Sequence, residues 1–160
     1  MRQIVNEPNE INGIKVVQNP QEIEEKLKNG ETVYHWEAGD SMQPLINHME
    51  YCKITPCSPK DVKRGDAVFC VIKDNEGNRW PMVHQVWEIS DASHDDTLWF
   101  KIGSTMTSVF GWTDEVYGIA KGTDIYQKEE NFYDKEKFLA NKCLFWNFFK
   151  LRYIYNKEKK

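Results

Sequence analysis

No stretch of this 160-residue chain approaches the roughly 18 consecutive apolar residues that a membrane-crossing helix needs. Its start, MRQIVNEPNEINGIKVV, has neither a basic head followed by an apolar stretch nor a cleavage box. No signal peptide is expected, and the expected location is the cytoplasm. Positive charge is also short, since 21 Lys and Arg stand against 25 Asp and Glu for a net charge of −4. Affinity for nucleic acid is built on cations that neutralise phosphates, so no nucleic-acid partner is expected. The four cysteines, Cys52, Cys57, Cys70 and Cys143, form no CxxC. Cys52 and Cys57 lack the second pair that would complete a tetrahedral zinc site. They read as free, partly buried thiols in a reducing compartment, with no metal and no cofactor expected.

What is present is a core. Hydrophobic residues make up 40% and aromatics 13% of the chain, and a chain of this length buries about two-thirds of its unfolded surface as one domain. Residues 1 to 31 read as a loose polar arm, a short strand at GIKVV and a short helix at NPQEIEEKLKNG. In that helix Asn19 caps, Pro20 takes the first position and Gly30 closes the end. Residues 32 to 127 read as a β domain of short runs: TVYHWE, YCKIT, DAVFCVIK, MVHQVWEI, TLWFKI, EVYGIA and TDIYQ. DNEGN is a hairpin-type turn between two of them. Residues 128 to 160 read as an aromatic amphipathic helix, from about 134 to 155, and a tail. The expected class is therefore mainly β with flanking helices.

Within this frame GDSMQPLI, residues 39 to 46, places Ser41 in a turn directly after a strand. A serine hydroxyl is a poor nucleophile until a base takes its proton and donors stabilise the oxyanion. Of the four histidines, His48 lies in a polar turn and His94 in the solvated loop SDASHDD. His35 sits in the strand leading to Ser41 and reads as a partly buried structural residue. His84 lies in RWPMVHQVWEI, where Val83, Gln85 and Trp87 alternate against His84 and Val86. A strand histidine alone is more often structural. One that follows GDSMQPLI and KRGDAVF in that order is the better candidate base.

These boxes resemble the serine peptidases that include signal peptidase and the self-cleaving domain of the LexA repressor. The nucleophile box Gly-x-Ser-Met-x-Pro is matched by Gly39-Asp40-Ser41-Met42-Gln43-Pro44, and the second box by Arg64-Gly65-Asp66. The base box of the histidine-type branch is matched by Val83-His84-Gln85-Val86, and a late glycine box by Tyr117-Gly118-Ile119-Ala120. The resemblance covers roughly residues 32 to 122. It implies a coiled, mostly antiparallel β assembly with a groove that takes a protein or peptide substrate as an added strand. It also implies Ser41 as nucleophile, His84 as general base, and the backbone amides of Ser41 and Met42 as oxyanion donors. Histidine suits this work at neutral pH, with an unperturbed pKa of about 6.5 against about 10.4 for lysine.

One departure concerns the third member. Histidine-type relatives carry an acid after a Gly that follows the base strand, whereas here Ser104 follows Gly103. The candidates for orienting His84 are therefore Ser104 and the downstream Asp114. No apolar anchor precedes Ser41, no helix-turn-helix is present, and the sole Ala-Gly pair is Ala38-Gly39 inside the nucleophile turn. Cleavage in trans is expected. Two functions remain open, a serine endopeptidase using a Ser–His dyad and a weak or inactive peptidase-fold module for binding or assembly. For the C-terminal helix, with Trp146 among phenylalanines and nearby Lys and Arg, the candidate contacts are a second copy, a protein partner or a membrane surface.

Overall fold

The run AVFCVIK is apolar without alternation, the pattern of a strand covered on both faces. In the structure, a computed structural model that describes residues 2–91, 95–106 and 108–128, it forms a strand whose first six residues are all buried. The described strands and α-helix are β1 (Gln3–Val5), β2 (Glu10–Ile11), β3 (Ile14–Lys15), α1 (Pro20–Lys28), β4 (Val33–Trp36), β5 (Glu50–Pro56), β6 (Ala67–Lys73), β7 (Arg79–Ser90), β8 (Trp99–Gly103), β9 (Val109–Thr113) and β10 (Val116–Gln127), with a short 3-10 turn at Pro59–Asp61. The main sheet runs β4-β5-β10-β6-β7-β8-β9, and β1 pairs with β10. All its pairings are antiparallel except β1 with β10, so the mainly β class holds.

Two apolar clusters explain why β6 is buried on both sides. Ala67 and Phe69 pack with Ile23 and Leu27 of α1 on one face. Val68, Cys70 and Ile72 pack on the other with Val86, Phe100, Ile102 and Val116 from β7, β8 and β10. The helix is set as its sequence requires. The Asn19 side chain accepts from the amides of Gln21 (3.0 Å) and Glu22 (3.2 Å), Pro20 opens the first turn, and Gly30 takes φ +80° beyond the end. Arg79 at the start of β7 clasps Glu24 of α1 and also Glu115, 2.7 Å away, just before β10. The DNEGN turn joins β6 to β7, with the Asp74 carboxylate accepting from the amides of Glu76 and Asn78.

Two expectations are corrected and one strand is added. The polar arm at residues 1 to 13 is not loose: β1 lies parallel to β10, and β2 and β3 form a small hairpin. The runs EVYGIA and TDIYQ are one 12-residue strand, interrupted by an irregularity between Gly122 and Tyr126. Residues 109 to 113, which have no strand signature around Gly111, form β9 against β8. The expected C-terminal helix, with Cys143, and His94 lie outside the described residues. Among the described residues no helix is long and apolar enough to cross a membrane.

Candidate functional site

The turn that carries Ser41 is tied down from several directions. Gly39 takes φ +136°, a conformation that disfavours side chains, and its amide donates to His48 Nδ1 at 2.8 Å. Asp40 closes the turn by accepting from Gln43, through its carbonyl from the amide (3.3 Å) and through Oδ1 from Nε2 (3.0 Å). The loop after β8 is laid across the turn: the Thr105 amide donates to the Ser41 carbonyl at 2.9 Å, and its hydroxyl bonds the Gln43 carbonyl. Among the described residues no acceptor engages the Ser41 or Met42 amides, the two expected oxyanion donors.

The base candidate comes from the middle of the sheet. His84 stands opposite Val68 of β6, and the Arg64-Gly65-Asp66 box braces its strand. Gly65, at φ +96°, offers its carbonyl to Gln85 Nε2 at 3.1 Å and its amide to the Val86 carbonyl at 2.8 Å. The Asp66 carbonyl accepts from the Val86 amide at 2.9 Å, while its carboxylate caps the turn at the Lys63 amide, 2.8 Å away. The box is thus a clamp on the residues that follow His84. From this position His84 Nε2 reaches Ser41 Oγ at 3.2 Å, within the range for a nucleophile and its base. The imidazole lies against Phe110 of β9, with ring centroids 4.4 Å apart and planes tilted by 52°.

No known family, curated protein or solved structure matches the chain. What the site can do therefore rests on its own geometry.

The other face of the imidazole departs from the expectation. Nδ1 of His84 is buried and has no hydrogen-bond partner among the described residues. Neither candidate orienting residue reaches it. The Ser104 hydroxyl instead accepts from the Ser108 amide at 3.0 Å, closing the turn after β8. Asp114 is exposed in the link between β9 and β10. Position in sequence after Gly103 could not distinguish a residue that faces the histidine from one that closes its own turn.

Burial holds the His84 imidazole below its ordinary pKa of 6.5, and the Glu37 carboxylate partly offsets that depression. The ring is therefore neutral at neutral pH, the state a base requires. Its tautomer is the difficulty. To receive a proton at Nε2 the ring must carry its hydrogen on Nδ1, where nothing accepts it, and an unpaired buried donor costs about 1–3 kcal/mol. The alternative tautomer donates from Nε2 to Ser41 and cannot act as base.

Beside Ser41 opens a cleft of about 340 Å³, open solvent included, whose lining includes Met42, Ile46, Val83, Cys52, His35 and Glu37. His35 is buried, with Nδ1 on the Val17 carbonyl at 2.9 Å and Nε2 3.1 Å from the Glu37 carboxylate. Cys52 is not a second nucleophile, because burial pushes its thiol far above the ordinary range. Sequence reasoning missed Glu37, Thr105, Phe110 and the tie from His48 to Gly39. Each acts through a contact between segments distant in sequence or across a turn, and apart from Gly39 none lies in a motif.

Proposed function

We propose that the protein is a serine endopeptidase that cleaves a protein or peptide in trans through Ser41 and His84. The observation that carries this reading is the 3.2 Å approach of His84 Nε2 to Ser41 Oγ across 43 residues of sequence. The braced glycine turn and the open cleft beside the hydroxyl support it. In this reading Ser41 Oγ attacks the scissile carbonyl carbon and its proton passes to His84. His84 returns that proton to the leaving amine as the carbon–nitrogen bond breaks. Water then enters, giving up a proton to His84 as it attacks the acyl-Ser41 ester, and Ser41 recovers that proton when the acid product leaves. The Ser41 and Met42 amides face the oxyanion, and the β assembly is of the coiled signal-peptidase and LexA type, with substrate added as a strand.

A second reading is favoured by one observation, the unpartnered Nδ1 of His84. Loss of the orienting acid from a serine triad lowers turnover by on the order of 10⁴. A protein on this path is a slow enzyme or a peptidase-fold binding module. Labelling by a fluorophosphonate probe separates the two. The peptidase reading expects labelling of the wild type that Ser41→Ala abolishes and His84→Ala reduces by at least about 100-fold, the usual scale of a general base. Equal labelling of wild type and Ser41→Ala gives the site to the binding module.

A further inference from the structure

We infer that Glu37 is the acid of this site, acting on His84 through space as an electrostatic stabiliser of the imidazolium, in place of a carboxylate bonded to the ring. The inference rests on the Ser41–His84 reading and extends it to a residue that no motif marks. Glu37 follows β4 and lines the same cleft as Ser41. It is held there at two points, its carbonyl accepting from the Met49 amide at 3.1 Å and its carboxylate meeting His35 Nε2. His35 is itself buried and anchored on Val17, so the carboxylate is tethered at a rigid strand end.

The surroundings of His84 leave this role to Glu37. On β6 the backbone partner of His84 is Val68, and from β9 Phe110 lies against the ring, both uncharged. On the cleft side the titratable groups are His35, Glu37 and Cys52. Asp40, next to the nucleophile, is turned onto Gln43. Among the described residues, the Glu37 carboxylate favours the protonated ring and partly offsets the burial that depresses His84. When His84 takes the serine proton in a half-buried, poorly solvated place, a fixed anion nearby lowers the energy of the cation that forms. It does so without fixing the tautomer, which is what a bonded carboxylate would add. The arrangement therefore yields a dyad with electrostatic help and without orientation.

The test measures the titration of the His84 ring by NMR in the full-length protein, with the resonance assigned from its absence in His84→Gln. Glu37→Gln keeps the shape and removes the charge. The expected result is a fall of the His84 midpoint by about half a pH unit. The acid limb of fluorophosphonate labelling should move by the same amount, and the plateau rate should drop several-fold. Glu37→Asp, which keeps a charge on a shorter arm, should recover part of each change. A His84 midpoint in Glu37→Gln within about 0.1 unit of wild type, in a variant with an unchanged amide spectrum, overturns the inference. If wild type is not labelled at Ser41 but the midpoint still falls, the peptidase reading fails while the electrostatic link stands.

Discussion

At the scale of the residue, the site turns on the two nitrogens of His84. Nε2 has its hydroxyl at 3.2 Å, and Nδ1 is buried without a partner among the described residues. This asymmetry has a consequence for stability as well as for rate. Because burial depresses the folded pKa of His84 below 6.5, the unfolded chain binds more protons than the folded one as acid is added. The contribution is then fully present above about pH 6.5 and is lost as pH falls through the folded value. His84→Gln removes this titration while keeping a neutral polar side chain. Denaturant midpoints measured from pH 7.5 downwards should therefore fall less steeply below pH 6.5 in the variant than in wild type. Parallel curves would mean that His84 is not desolvated in solution.

At the scale of the element, the legible parts were those in which local chemistry and tertiary position agree. The helix α1 could be read from Asn19, Pro20 and Gly30 because each acts on its own neighbours. β6 and β7 could be read from apolar runs around an Asp74 turn. The pairing of Ser41 with His84 was legible only through the order of motif-like boxes, since neither residue signals the other by spacing. β9 was not legible, because VFGWT takes its identity from β8 rather than from alternation. Gly103 illustrates the limit. In sequence it marks the place where an acid was expected to follow. In the structure a Cβ there would stand 2.5 Å from the Ser108 carbonyl oxygen and 2.7 Å from the Trp87 ring, whose Nε1 donates to the Ser104 carbonyl. Gly103→Ala must therefore displace backbone or indole, and overpacking of this kind costs about 1–3 kcal/mol. Thermal unfolding should show a lowered midpoint. Labelling at Ser41 should also slow, because Thr105, two residues on, is bonded to the nucleophile turn. An unchanged midpoint would mean that the loop yields freely and does not hold the turn.

At the scale of the whole molecule, the described members of both apolar clusters around β6 fall within residues 17 to 120. The ties that set the site, from His48, Thr105, Gly65 and Asp66, fall inside the same span. Residues 129 to 160 lie outside the described residues. Yet that segment, EENFYDKEKFLANKCLFWNFFKLRYIYNKEKK, carries much of the aromatic content, with Phe145, Trp146, Phe148 and Phe149 in one run flanked by basic residues. Apolar surface on that scale is seldom left in water without a partner. The core and the aromatic segment should therefore separate by function. A chain ending at Lys128 should keep a cooperative unfolding transition and the labelling rate of Ser41. The full-length chain, and not the truncated one, should self-associate in sedimentation, capture a partner protein or float with liposomes. Loss of the whole fold on truncation, with a full-length chain that is monomeric and ignores liposomes, would make the segment part of the core and end the idea of a docking element.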